Sequence, residues 1–352
     1  MEGVRQAVEA VLAEGRIPSI SLDVRVEGRE VFHLTAGRAR TVPERRAEDD
    51  QAYDLASVTK ALAGTTVIAS LLEEGRFSLE TPVSTWFDEV DTRVQVRHLL
   101  QHASGWPAWR PFYADLGVAW GTLQARQRFL ASLLAVPIEC PPGTRHLYSD
   151  LGFLCLLGIA EAATGQRFDQ LFLDRILAPA GYPDLRWGWP TAAATELCPI
   201  RQTLIEGTVH DLNCASLGGV SAHAGLFGTA RAVSGLADAL LRATEGEPAF
   251  RGLPGRTLRQ LWHSPGPGSH TAGWDRPSTD GYTSTGRFFP ADSRGHLGYT
   301  GTSVWVIPSR KAVVALLTNR VHPVDDKEPI RAARPRIHDA VAQALGWDRP
   351  LA

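Results

Sequence analysis

Apolar and polar positions alternate through SISLDVRVEG and EVFHLTAG, from Ser19 to Gly37, with Gly28 between the two runs. Alternation of period two on both sides of a glycine turn predicts a β-hairpin near the N-terminus. Ahead of it, Val4, Val8, Val11 and Leu12 recur at helical spacing among acidic residues, which predicts an amphipathic surface helix. From Thr59 to about Leu177 the rhythm is helical, in TKALAGTTVIASLLEEG, VQVRHLLQH, GTLQARQRFLASLLA, LGFLCLLGIAEAATG and RFDQLFLDRIL. Strand signals return in GHLGYTGTSVWVIP and KAVVALLTNR around a PSR turn, followed by a closing helix, IRAARPRIHDAVAQALG. Strands at both ends with helices between them predict an α/β plus all-α chain. The boundaries that follow are a discontinuous α/β domain over 1–76 and 177–352 and a helical domain over 77–176. The Gly/Pro/Ser-rich stretch from His263 to Gly286 reads as a long surface loop, of a length that often carries function.

Composition narrows the setting. The chain has 352 residues, 44% of them hydrophobic and 21% charged, as in an ordinary globular protein. A net charge of −2 gives no electrostatic reason to expect nucleic acid or an anionic membrane as partner. The first fifteen residues lack the basic region and apolar core of an export signal, and the apolar run from Leu151 is about half a membrane span. A cytoplasmic location is therefore expected. Cys140, Cys155, Cys198 and Cys214 show no C-x-x-C spacing and read as reduced structural thiols.

Candidate chemistry begins in YDLASVTKALAGTTVIASLL, Tyr53 to Leu72, which carries no charge after Lys60 until Glu73. One reading makes Ser57 a helix N-cap, with Lys60 reaching back to water. The other makes Ser57 a nucleophile and Lys60 its base, since residues three apart share a helix face. Of the 36 basic residues only Lys60, Lys311 and Lys327 are lysines. Arginine cannot lose its proton near neutrality, whereas a desolvated lysine can. Burial and the positive end of the helix dipole both favour loss of the Lys60 proton.

Further along, Tyr148 precedes Ser149 and Asp150, good capping residues for the helix near Leu151. Tyr148 is either a buried aromatic beside a cap or a phenol able to relay a proton. GHLGYTG, His296 to Gly301, places glycines in a strand, where they mark an edge, a bulge or a close approach to the backbone.

Ser57-Val-Thr-Lys60, Tyr148-Ser-Asp150 and His296-Leu-Gly298, in that order, resemble the three signature motifs of the serine β-lactamase and penicillin-binding-protein superfamily. The likeness is nearest to the class C-like branch, with its D-Ala-D-Ala carboxypeptidases, D-amino acid peptidases and family VIII esterases. It runs from about Val31 to Pro323 and includes LLQHASGW, LGGVSAHAGLFGTA and LLTNRVHP. The resemblance implies a β-lactamase/transpeptidase-like fold, with an antiparallel sheet built from both termini, flanking helices, an inserted helical domain and an active site at the interface of the two domains. It implies Ser57 as the acylated nucleophile, with Lys60 and Tyr148 sharing the proton traffic. The oxyanion would lie between the backbone N–H groups of Ser57 and Tyr299. Asp150, His296 and Gly298 would line the substrate site, with His296 helping to hold the acyl group or its carboxylate. Asp150 stands where better-known members carry asparagine; an anion there cannot donate to an amide carbonyl.

Other residues keep two readings each. His98 and His102 have the spacing of a helical metal pair but no third ligand, and no metal or cofactor is expected. His210 and Asp211 either line the cleft or make a structural hydrogen bond. Trp106, Trp109 and Trp120 either wall an acyl pocket or pack a loop. Gly219-Val-Ser221-Ala-His223 approaches a nucleophile elbow but ends in histidine. The expected activity is a serine hydrolase acting on a small-molecule ester, amide or short peptide. A class C-like β-lactamase or carboxypeptidase, and a non-catalytic ligand-binding protein on the same fold, are the alternatives.

Overall fold

The computed structural model describes residues 1–181, 184–278 and 281–348. The hairpin forms as β1, Ser19–Val26, and β2, Arg29–Thr41, turning through Glu27 and Gly28, both at positive φ. A short β3, Glu44–Arg46, extends β2. From the other end of the chain come β4, Arg294–Leu297, β5, Ser303–Ile307, and β6, Ala312–Thr318. They join as one antiparallel sheet in the order β3-β2-β1-β6-β5-β4, so the two termini meet where Leu22 of β1 pairs with Leu316 of β6.

The central strands read as unbroken apolar runs because both faces of the sheet are covered. Along β5 and β6, Trp305, Ile307, Val314 and Leu316 point to one side, under helices Glu2–Ala13 and Glu328–Ala344. Val304, Val306, Val313 and Leu317 point to the other, against Leu236 and Leu240 of helix Ala230–Thr244. Each such fully buried aliphatic side chain contributes roughly 1.5–3 kcal/mol. The second of these cores continues without a break into the helical middle of the chain, through Leu62, Leu99, Phe129 and Phe153.

Two local departures position the site. The helix after Ser57 opens as a π-turn, Lys60–Thr65, before continuing as α-helix Thr66–Glu73; π-turns are rare and concentrate at functional sites. Gly64 sits in that turn with room for no side chain: a Cβ there would lie 2.4 Å from the Ala222 carbonyl. That close approach brings the Ala222–His223 backbone against Lys60. The stretch from His263 to Gly286 differs from the surface loop expected of it (Thr279 and Asp280 lie outside the described residues). Thr271, Ala272 and Trp274 are fully buried and His270 nearly so. Gly273 N–H donates to Leu100 O, and Asp275 pairs with Gly295 of β4, so the loop is sewn into the core as a wall of the cleft.

Candidate active site

Ser57 follows a strained residue. Ala56 has φ 46°, its N–H held by Asp54 Oδ1 at 2.8 Å, a conformation that costs energy for any residue but glycine. Ser57 caps no helix, and Lys60, at 0% exposure, does not reach water. The capping reading of this pair fails. Instead Lys60 Nζ donates to Ser57 Oγ at 2.9 Å and to the His223 carbonyl at 3.2 Å, and lies 2.6 Å from Asp150 Oδ1. The Tyr148 ring centroid is 5.0 Å from the same nitrogen.

These contacts overturn the expectation that Lys60 readily loses its proton. Burial does push its pKa down, but the charges of Asp150 and Tyr148 and hydrogen bonds to both outweigh it and hold Lys60 above the ordinary lysine value. The ammonium form is the resting one. Burial raises the Tyr148 phenol above its ordinary value as well; Lys60 opposes this and Asp150 adds to it. Asp150 is thus brought to Lys60 at the lip of the cleft. Ser149, its neighbour at the helix start, donates Oγ to Pro107 O at 2.7 Å rather than capping.

The charge on His296, which the sequence left open, follows from its surroundings. Its Nδ1 hydrogen-bonds the Leu297 carbonyl at 2.9 Å, so Nδ1 carries the proton and Nε2 presents a lone pair. Burial, then Lys60, lower its pKa to about 3. A neutral ring cannot hold a carboxylate by charge. Gly298 is where a close approach is required: a Cβ would lie 2.0 Å from Thr302 Oγ1 and 2.5 Å from Leu55 O. The bare Cα lets the end of β4 lie against the segment leading to Ser57. Neither the Ser57 N–H nor the Tyr299 N–H is engaged in a backbone hydrogen bond among the described residues. The Tyr299 carbonyl accepts from Arg320 Nε at 2.8 Å, and its ring stacks on His210 at 5.6 Å.

Ser57 and Tyr148 stand between two open cavities. One, of about 430 Å³, is lined by Trp109, Asp150, Glu196, His210 and Asp211. The other, of about 360 Å³, is lined by His270, Asp275, His296, Lys327 and Arg331. Burial pushes Asp275 up to about 6. The profile of the family described as Beta-lactamase matches residues 4–336. The chain belongs to the beta-lactamase family. A relative named as a putative D-alanyl-D-alanine carboxypeptidase, from Salmonella enteritidis PT4, is 30% identical over 342 residues, covering 86% of this chain and 77% of its own. EstCE1, described as a hydrolase with promiscuous acyltransferase activity, superposes with a TM-score of 0.75 at 19% identity, over 97% of this chain and 98% of that one. A family VIII carboxylesterase does so with a TM-score of 0.74 at 20% identity, over 98% and 97%. The fold of this beta-lactamase family hydrolase is therefore the β-lactamase/transpeptidase-like one. No helix among its described residues is long and apolar enough to cross a membrane.

The family frame leaves several residues to the geometry. Asp211 and His210 both reach the cleft, and Asp211 makes a structural bond as well, capping helix Leu212–Ser216 through Cys214 N at 2.7 Å. Burial opposes ionisation of Asp211, yet the charge and hydrogen bond of His223 prevail and hold it at about 2. Trp109 lines the cleft at 47% exposure, whereas Trp106 is buried with its Nε1 on Val136 O at 2.9 Å, and Trp120 packs against the core and Tyr113. The four cysteines are free thiols, three of them buried. His102, at φ 54°, lies against Tyr148 with 4.5 Å between ring centroids and forms a buried group with His270 and His296. Their candidate donor atoms lie within 4.8 Å of one another. That group is unsuited to a metal as it stands. Ser149 N–H donates to His102 Nδ1 at 3.1 Å, so the neutral ring keeps its proton on Nε2 and has no lone pair to offer there.

Two features were missed in the sequence. His270 and Asp275 enter from the glycine-rich loop, where only the loop's length gave a signal. The His223 carbonyl contacts Lys60 by its backbone, which side-chain motifs do not encode.

Proposed function

We propose that this chain is a serine hydrolase working through an acyl-enzyme at Ser57, on carboxylic esters or on amides such as D-amino acid peptides, with β-lactam hydrolysis as a side activity. The observation that carries this reading is the 2.9 Å contact between Lys60 Nζ and Ser57 Oγ at a nitrogen shut off from solvent. In acylation Lys60 first gives up a proton from its resting ammonium; the Ser57 O–H bond then breaks, its proton passing to the neutral amine directly or through the Tyr148 hydroxyl. Oγ bonds to the substrate carbonyl carbon as the carbonyl π pair moves onto oxygen. The Ser57 and Tyr299 N–H groups meet that oxyanion. Collapse expels an alkoxide or amine, which takes up the proton held by the Lys60–Tyr148 pair. Water then loses a proton to the same pair, attacks the acyl carbon and releases the acid, with Ser57 restored.

Lys327 and Arg331 beside the smaller cavity favour a second reading, a carboxypeptidase whose peptide substrate ends in a free carboxylate. Two measurements test both. Intact mass after a fluorophosphonate probe should show one adduct, absent in Ser57→Ala; no adduct on the unaltered protein points to a non-catalytic binding protein. Turnover of p-nitrophenyl esters, a chromogenic cephalosporin and D-Ala-D-Ala peptides then ranks the substrates. Esters and short amides should lead, and turnover of the D-Ala-D-Ala peptides alone would favour the second reading.

A further inference from the structure

We propose that Asp54 is a positioning residue for acylation: its side chain holds Ala56 in the left-handed conformation that turns the Ser57 N–H towards the oxyanion. This rests on the serine-hydrolase reading above.

The argument starts from peptide planes. A trans peptide is flat, and its C=O and N–H point opposite ways, so holding both ends fixes the unit. The two peptides ahead of Ala56 are held in this way. In the first, Asp54 O accepts from Thr300 Oγ1 at 2.7 Å and Leu55 N–H donates to Leu226 O at 2.9 Å. In the second, Leu55 O accepts from Thr302 Oγ1 at 2.9 Å and from Val58 N–H at 3.1 Å. Its other end, Ala56 N–H, donates to Asp54 Oδ1 at 2.8 Å. The next peptide carries the Ser57 N–H, and only the two Ala56 torsions separate it from this fixed frame. One of them is φ 46°. Left-handed backbone is disfavoured for alanine by a factor of about 5–30, so the conformation needs something to hold it.

Asp54 supplies that hold and links it to the opposite wall of the cleft. Its second oxygen, Oδ2, accepts from His210 N–H at 2.6 Å. The His210 ring in turn stacks on Tyr299, whose N–H is the other oxyanion donor. Two main-chain donors need two acceptor oxygens, which a carboxyl group has and a carboxamide lacks. Asp54 is 1% exposed, so bulk water cannot take over either bond. One buried side chain thus stands behind both halves of the oxyanion site without touching the substrate.

The test is the rate of fluorophosphonate labelling at Ser57, by intact mass, with folding checked by urea unfolding. Asp54→Ala should slow labelling by roughly 5–30-fold, the factor by which the conformation is disfavoured once nothing holds it. With Ala56→Gly in both proteins compared, the same removal should cost less than about threefold, because glycine takes that conformation freely. Asp54→Ser, whose hydroxyl can still accept from the N–H two residues on, should label faster than Asp54→Ala. With a p-nitrophenyl ester the loss should fall on kcat and leave KM nearly as it was. A folded Asp54→Ala that labels at the unaltered rate overturns the proposal. So does a loss equal in the Ala56 and Ala56→Gly proteins, a serine variant no faster than the alanine one, or a loss confined to KM. If Asp54→Ala folds in neither background, Asp54→Ser takes its place, and a loss that Ala56→Gly does not relieve is the overturning result. Failure of the unaltered protein to label overturns the serine-hydrolase reading instead.

Discussion

Asp211 and His223 are joined by a 3.1 Å hydrogen bond that ties the ring of the residue whose carbonyl is the acceptor 3.2 Å from Lys60 Nζ. Asp211→Ala removes that tie and a helix cap together. The expected result is a loss of about 1 kcal/mol of stability from the cap, read by urea unfolding. A fall in acylation of roughly tenfold should accompany it, as for a modest misplacement at a reacting group. Asp211→Asn should keep most of the cap and so divide the two effects.

Gly298→Ala places a methyl 2.0 Å from Thr302 Oγ1 and 2.5 Å from Leu55 O, and the second, a main-chain atom, cannot yield without backbone movement. Tyr299 follows directly, so its N–H should leave the oxyanion position. A loss of about 10²–10³ in kcat is the expected size for one such donor. KM for a p-nitrophenyl ester should change far less, and steady-state kinetics separate the two.

Acid should weaken the fold through the histidines around Tyr148. Burial holds His102 and His270 well below 6.5 and His296 at about 3, so in the folded chain they are neutral. The unfolded chain takes up protons at these rings below about pH 6.5. Their contribution is therefore complete above that pH and declines as pH falls towards about 3, by about 1.4 kcal/mol per pH unit for each ring. Asp275, raised to about 6 by burial, binds a proton earlier in the folded chain and offsets one ring. Thermal melts from pH 7 to 4 should fall steeply, and His296→Gln should flatten the slope by about one proton.

Trp109 is half exposed on the wall of the larger cavity, beside Asp150 and His210. Trp109→Ala should raise KM for long-chain acyl esters several-fold and leave acetate esters almost unchanged. Equal effects on both would place the acyl chain elsewhere.

How far the sequence could be read depended on the range of each effect. The Ser19 to Gly37 hairpin and the VWVI and AVVALL strands were legible because alternation and apolar runs reflect which faces are buried. Helix Asp150–Thr164 was legible in the same way, to its closing Gly165 in the left-handed conformation. The Ser57/Lys60 pair was legible as neighbours on one turn, though the π-turn that carries it was not. The loop around His270 was misread, because its glycines and prolines mark irregular backbone without saying on which side of the surface it runs.

The sequence by itself determined the order of strands and helices, which follows from spacing along the chain, and the three short stretches that meet at the cleft, which stood out by their resemblance to the family's motifs. Only the tertiary structure decided the charge on each group. Lys60 stays protonated because Asp150 arrives from a different helix, and His296 is neutral because burial and Lys60 act on it together. Ionisation answers to distance through space and to the water that packing removes, and neither quantity is written in the local pattern of residues.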